Sequence, residues 1–185
     1  MTGYAFCGSY CTFKESFSEF SRLIDEGYEL VPIMSENAYS TDTRFFAAEE
    51  FRRAVEEKAK RKIVHTITEA EKFGQNRLDS LIISPCTGNT LAKIASGITD
   101  TAVTMAAKAH LRCDGKMLIA LASNDAMSQN LKNIAMLLTR KSVYFVPLRQ
   151  DNPSGKPHSL VADFSLIGDC FSAMQKDLQI RPLFL

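Results

Sequence analysis

Cys86-Thr87-Gly88-Asn89-Thr90 is a run of small, mostly polar residues set between two apolar segments. Before it, Leu81-Ile82-Ile83 is a short apolar run of the kind found in a strand buried on both faces, and it stops at Ser84-Pro85. After it, Leu91, Ile94, Ala95 and Ile98 recur at helical spacing, so a helix begins at or near Thr90 and Gly97 is placed to stop it. Asp100 is positioned to cap a second helix carrying Val103, Met105, Ala106 and Leu111. A strand, a tight polar turn and a helix N-terminus together bind anions, because free backbone N–H groups and the helix dipole both favour a phosphate there. An ordinary strand-to-helix turn with a Thr cap has the same pattern, so spacing alone leaves both readings open.

The chain begins with a second arrangement of this kind. Tyr4-Ala5-Phe6-Cys7 reads as a strand and Gly8-Ser9 as its turn. Thr12 with Glu15 fits a capping box, and Phe13, Phe17, Phe20 and Ile24 mark one helical face that ends at Gly27. Gly8-Ser9 is either a plain turn or an anion site at the first crossover. The three spaced glycines of a dinucleotide fingerprint are missing, as is a P-loop Gly-Lys-Ser/Thr, so a mononucleotide such as FMN fits better than NAD. Asn124 follows the apolar run Met117-Leu118-Ile119-Ala120-Leu121. A carboxamide there can orient a substrate carbonyl or carboxylate, or cap the helix carrying Leu131, Ile134 and Leu138. Arg44, in the polar loop 37–44, can meet a carboxylate or phosphate, or simply be solvated. Cys7 and Cys11 are four apart with no second pair to complete a zinc site, so they read as small buried residues.

These residues need a scaffold. Leu30-Val31-Pro32-Ile33-Met34 reads as a strand; its proline places it near an edge or at a distortion, with Ser35 at its end. Phe51 and Val55 face inward on a helix whose other face is charged. Ile63-Val64 is a short strand before His65, and residues 72–79 are a loop. Val143-Tyr144-Phe145-Val146 is the last strand, and residues 148–159 form a loop long enough to be a lid or contact surface. Leu160, Phe164, Ile167 and Phe171 define a terminal helix, followed by an apolar tail at 181–185 that is suited to dock on a neighbour. The alternation predicts an α/β fold: three layers, a doubly wound, mainly parallel sheet of about six strands, Rossmann- or flavodoxin-like. In the common strand order the first strand and the Leu81-Ile82-Ile83 strand are neighbours, so both turns meet one ligand.

Length and composition set the bounds. The 185 residues are most economically one domain, 1–185, with a substantial core. At net charge +1, with basic and acidic residues interspersed, nucleic acid is an unfavoured partner. No apolar run reaches membrane-span length and no signal peptide is visible. An odd number of cysteines, five, without framework spacing fits a reducing cytoplasm.

Pro85-Cys86-Thr87-Gly88-Asn89-Thr90, with Leu91-Ala92-Lys93-Ile94-Ala95 and Gly97-Ile98 after it, resembles the Pro-Ala-Ser-Ala-Asn-Thr motif and following helix of the homo-oligomeric flavin-containing cysteine decarboxylase superfamily. That superfamily includes flavin prenyltransferases and the B subunits of dipicolinate synthase. The B-subunit branch is the best match: Thr43-Arg44-Phe45, Thr99-Asp100, Met105-Ala106-Ala107-Lys108-Ala109, Ser123-Asn124-Asp125-Ala126 and Tyr144-Phe145-Val146-Pro147 all read like it. The resemblance covers nearly the whole chain.

The resemblance implies FMN held by Gly8, Ser9, Ser35, Thr87, Asn89 and Thr90. It implies oxidation of dihydrodipicolinate to dipicolinate during sporulation, in the mother-cell cytoplasm, together with an A subunit that carries the NAD(P) site. Asn124 matches the Asn of the superfamily's Pro-Ala-Met-Asn motif, although the Pro and Met are absent. His65 sits in a register comparable to the superfamily's active-site His, after a longer intervening segment, and is the candidate for proton handling. Arg44 and Lys108 are the candidates for holding a dicarboxylate. A homo-oligomer is implied as well. The Cys-Gly clamp of the cysteine decarboxylases is missing near residues 148–159, which speaks against cysteinyl decarboxylation. The alternatives are another FMN-dependent decarboxylase and a non-catalytic nucleotide-binding partner subunit.

Overall fold

The computed structural model describes residues 1–185. Five parallel strands form the centre of the sheet: β1 (Thr2–Phe6), β2 (Leu30–Met34), β3 (Ser80–Thr87), β4 (Lys116–Ser123) and β5 (Val143–Phe145). Two short strands, β6 (Leu148–Arg149) and β7 (Leu160–Ala162), form an antiparallel pair, and β7 runs antiparallel to the end of β4. The order is β2-β1-β3-β4-β7-β6, with β5 pairing the first half of β4. The sheet has seven strands rather than about six: β6 and β7 are added, while the expected Ile63-Val64 strand is reduced to an isolated bridge between Val64 and Ile33. The extra strands have two and three residues, too short for period-2 patterning to show.

The helices are α1 (Phe13–Asp25), α2 (Glu36–Ser40), α3 (Ala48–Ala59), α4 (Ile67–Glu71), α5 (Gly88–Ser96), α6 (Ala102–Leu111), α7 (Leu131–Leu138) and α8 (Ile167–Gln175). α1 contacts α3 and α8 on one face of the sheet, while α6 contacts α4 and α5 on the other. β1 is buried along its whole length, as expected of a strand covered on both faces. Pro32 lies on edge strand β2. Its carbonyl turns outward to accept the Val64 amide at 2.9 Å, so its missing N–H faces the outer edge, where the central ladder needs no donor.

β3 differs from the sequence expectation. It runs on through Ser84-Pro85 to Thr87, with a register shift between Ile83 and Cys86. The Ser84–Pro85 peptide is cis. The irregular backbone is satisfied from β1 and α1: the Cys7 amide donates to the Pro85 carbonyl at 3.1 Å, and the Ser16 hydroxyl donates to the Ser84 carbonyl at 2.6 Å. Buried polar groups without such partners would be costly.

The helix caps are residues of the expected kind at neighbouring positions. α5 starts at Gly88 with Thr87 as its cap, whose hydroxyl accepts the Thr90 amide at 3.2 Å. Thr101, not Asp100, caps α6 through a reciprocal pair with Thr104. Asp100 instead pairs with Lys93 at 2.7 Å. The Thr12–Glu15 capping box does not form, because the Thr12 hydroxyl turns back to donate to the Ser9 carbonyl at 2.8 Å. Gly97, at φ +74, ends α5 as expected. Leu160, placed on the terminal helix by its spacing, belongs to β7, and α8 starts at Ile167.

Candidate active site

The C-terminal ends of β1, β3 and β4 open into one cleft of about 540 Å³. That volume is within the roughly 300–1,000 Å³ typical of small-molecule sites. β1 contributes Gly8 and Ser9, β3 contributes Thr87 and Asn89, and β4 contributes Asn124. β1 and β3 are hydrogen-bonded neighbours, so the two turns that follow them open on the same cleft.

The two turns offer different donors. In the β1 turn the Ser9 amide closes back on the Cys7 carbonyl at 2.7 Å. The Thr12 hydroxyl, which donates to the Ser9 carbonyl, also lies 3.2 Å from Ser9 Oγ, and Ser9 lines the cleft. In the β3 turn, Thr87 takes the Thr90 amide, while the amides of Gly88 and Asn89, in the first turn of α5, have no intrahelical acceptor. The exposed Asn89 side chain stands beside them. A hydroxyl and free helix-start amides are the donor set a phosphate monoester takes, so the residues present fit a mononucleotide.

Beneath the turns lies a buried layer. The Thr87 hydroxyl donates to Thr90 Oγ1 at 3.0 Å, and Thr90 is buried against Cys7. Thr90 therefore supports the turn from below and does not line the cleft. Burial pushes the Cys7 thiol up to about 11, and burial with the neighbouring Cys7 raises Cys86 well above its ordinary value. Both are thiols at neutral pH, which removes them as nucleophiles. Ser35 is also buried; its hydroxyl caps α2 by accepting the Ala38 amide at 3.3 Å, and it is not a cleft residue.

Asn124 is exposed in the cleft and makes no side-chain hydrogen bond within the protein. Its alternative as a helix cap is not realised, since Asn130 occupies the position before α7. The turn bearing Asn124 is held by its neighbours. The Ser123 hydroxyl and the Asn130 amide donate to Asp125 Oδ1 at 2.5 and 2.8 Å, and the Asn133 amide donates to Asn130 Oδ1 at 2.8 Å. The Ser123 and Asn130 hydrogen bonds hold the Asp125 carboxyl below its ordinary range.

Arg44 lines the same cleft, with its guanidinium 4.8 Å from the Phe45 ring centroid. The other two candidates lie elsewhere. His65 stacks on Tyr39 with centroids 3.8 Å apart, in a separate cleft of about 360 Å³ that includes Asp100 and Thr101. Lys108 lies on α6 beside Lys72 and Arg112, in a groove away from Asn124. His65 follows the Val64 bridge to edge strand β2, and Lys108 sits on the exposed side of α6, so neither reaches the main cleft within one chain. Asp125, within the Ser123-Asn124-Asp125-Ala126 stretch, also lines the main cleft, as do Tyr10, Cys11, Asp151 and Lys156, which no sequence motif marks; Cys11 is exposed there, not buried as expected. Lys156 is reachable in principle, since it lies in the 148–159 loop expected to be a lid or contact surface.

The chain matches the Flavoprotein family over residues 4–173. It is 33% identical over 184 residues to the B subunit of dipicolinate synthase from Bacillus subtilis (strain 168), covering 99% of this chain and 92% of that one. The crystal structure of the dipicolinate synthase B subunit from Bacillus halodurans superposes with a TM-score of 0.90 at 34% identity, covering 100% of this chain and 95% of the other. An FMN-dependent cysteine decarboxylase, SpaF, shares the fold with a TM-score of 0.67 at 19% identity, over 95% of each chain. Decarboxylases are thus distant relatives, and the chain is a homologue of the dipicolinate synthase B subunit. With a family match over residues 4–173, and a cleft built where two strand-to-helix turns converge, the chain belongs to the flavoprotein family.

Proposed function

We propose that this chain is an FMN-binding subunit which, together with an A subunit, oxidises dihydrodipicolinate to dipicolinate during sporulation. The observation that carries the reading is full-length similarity to the B subunit of that synthase, combined with a cleft whose donors suit a mononucleotide phosphate. Aromatising a dihydropyridine removes two electrons and two protons. A flavin, when bound, supplies an acceptor for a hydride equivalent. The protein's own work is to hold and orient. Ser9 and the start of α5 take the phosphate, with Thr87 and Thr90 fixing the turn. Asn89 and Asn124 present carboxamides to the bound ring, and the Asp125 network keeps Asn124 in place.

The chain has no dinucleotide fingerprint, so the electrons leave through an NAD(P) site on the A subunit. The lack of a cysteine in residues 148–159 speaks against cysteinyl decarboxylation. His65 remains a proton-handling candidate only if its cleft joins the main one in an assembly; within one chain the two are separate.

The test is the absorption spectrum of freshly purified protein, with FMN titration of wild type and Asn89→Leu, followed by mixing with the A subunit. A flavin spectrum, loss of retention in Asn89→Leu at unchanged fold, and dipicolinate formation by the mixture are expected. Equal FMN binding by both proteins would remove the β3 turn from the flavin site.

A further inference from the structure

The cleft has two walls of different origin, and each carries one cation. One wall is the segment 41–47. The Thr43 hydroxyl accepts the amides of Phe45 and Phe46 at 3.2 and 3.3 Å, and Asp42 Oδ1 accepts the Ala48 amide at 2.8 Å. Phe46 packs on Phe51, ring centroids 5.6 Å apart, and roots this wall in the core. The other wall is the turn joining β6 to β7. The Lys156 amide donates to the Asn152 carbonyl at 2.7 Å, and the Gly155 amide donates to Asn152 Oδ1 at 2.8 Å. The Met127 amide donates to the His158 carbonyl at 3.0 Å, which ties this wall to the segment that bears Asn124.

We propose that Arg44 and Lys156 form a two-cation clamp for a substrate that carries two carboxylates on one planar ring. The clamp rests on the proposed oxidation of a ring dicarboxylate and names the residues that select its substrate. Arg44 has no ion pair and no protein acceptor for any guanidinium N–H. A guanidinium fork suits a carboxylate two bonds at a time. Lys156 Nζ lies 3.3 Å from Asp151 Oδ2 in an exposed pair, which uses one of its three N–H donors. The remaining donors serve a second carboxylate without displacing Asp151. The other acid of the cleft, Asp125, faces Ser123 and Asn130. Asn89 and Asn124 line the same cleft as both cations. A ligand with a single carboxylate engages only one wall.

The experiment uses the full chain with saturating FMN, titrated calorimetrically with pyridine-2,6-dicarboxylate and with pyridine-2-carboxylate. Wild type is expected to bind the dicarboxylate about tenfold or more tightly, as expected for one added charge-assisted contact. Arg44→Gln and Lys156→Gln are each expected to lose most of that preference at unchanged melting temperature. Lys108→Gln, whose ammonium lies in the other groove, is expected to keep it. Wild type without a preference, or either clamp variant with the full preference, overturns the clamp. FMN binding and A-dependent oxidation, measured on the same samples, separate the two layers. Oxidation with the preference intact in both clamp variants sinks the clamp alone. A preference lost in the variants, in a chain that neither binds FMN nor supports oxidation, sinks the redox reading and leaves the clamp.

Discussion

Gly88 and Ser123 approach so closely that a Cβ on Gly88 would overlap the Ser123 hydroxyl. The same Cβ would lie 2.6 Å from Asn130 Nδ2 and 2.9 Å from Asp125 Oδ1. Gly88 opens α5 at the end of β3, and Ser123 ends β4. Their contact therefore joins the turn that presents Asn89 to the turn that presents Asn124. The glycine is needed here for close approach and not for an unusual backbone angle.

Gly88→Ala tests this junction. Its neighbours are side-chain ends tied into one part-buried hydrogen-bonded network, so overpacking is expected to cost about 1–3 kcal/mol. Melting temperature and FMN retention should fall together. A melt superimposable on wild type would show that the two turns are not mechanically joined.

Much of this arrangement is legible in the sequence, and the reasons are local. Leu81-Ile82-Ile83 announces a buried strand because its neighbours on both faces are apolar. Gly8, Ser9, Thr87 and Asn89 stand out because a strand-to-helix turn writes its chemistry in a few consecutive residues. The misplacements arise where the third dimension decides. Pro85 reads as a stop, yet β3 continues past it because Cys7 and Ser16 supply hydrogen bonds from distant positions. Leu160 fits a helical period with Phe164 and Ile167, but pairing with β4 and β6 claims it for the sheet. Lys156 and Arg44 share a cleft although more than 100 positions separate them.

Asn124 provides a test with a clean separation of roles. Its side chain is exposed and bonds to nothing in the protein, so Asn124→Ala is expected to change stability by no more than about 0.5 kcal/mol. If it orients the substrate, kcat of the assembled enzyme should fall about tenfold with flavin still bound. The readouts are the thermal melt, the flavin spectrum and steady-state kinetics with the A subunit. A lowered melting temperature with unchanged kcat and KM would make Asn124 a structural residue.

The Asp125 network predicts a pH dependence with a definite sign. The Ser123 and Asn130 hydrogen bonds hold the folded-state carboxyl below its ordinary value. A depressed folded value stabilises the fold above the unfolded Asp value of about 3.9. That contribution is lost as pH falls through the lower folded value. Unfolding free energies of wild type and Asp125→Ala, measured from neutral pH down into the acid limb, should differ most near neutrality and converge as pH falls below about 4. Curves that stay parallel through the acid limb would remove Asp125 as the charged centre of the network.

The tail is where the fold and the proposed partnership meet. Residues 181–185, expected from their apolar character to dock on a neighbour, dock first on their own sheet. The Leu148 amide donates to the Leu183 carbonyl at 2.7 Å, and the Leu185 amide donates to the Leu148 carbonyl at 2.8 Å. This covers the outer edge of β6, which would otherwise expose unpaired backbone groups. It also presents Phe184 and Leu185 outward, 53% and 57% exposed, on the strand pair that carries the Lys156 wall. Two backbone hydrogen bonds contribute about 0.5–1.5 kcal/mol each, so deleting residues 182–185 should leave the chain folded. It should nonetheless weaken assembly, because two exposed apolar side chains and a paired edge are lost together. The chain alone is expected to be nearly inactive. The truncated chain should need more A subunit than wild type to reach the same rate, with the same limiting kcat. Sedimentation of the chain without A separates the two uses of the tail: a changed oligomer with an unaltered A titration assigns it to self-assembly. Full dipicolinate formation by the isolated chain, with no A subunit present, would overturn the partnership itself.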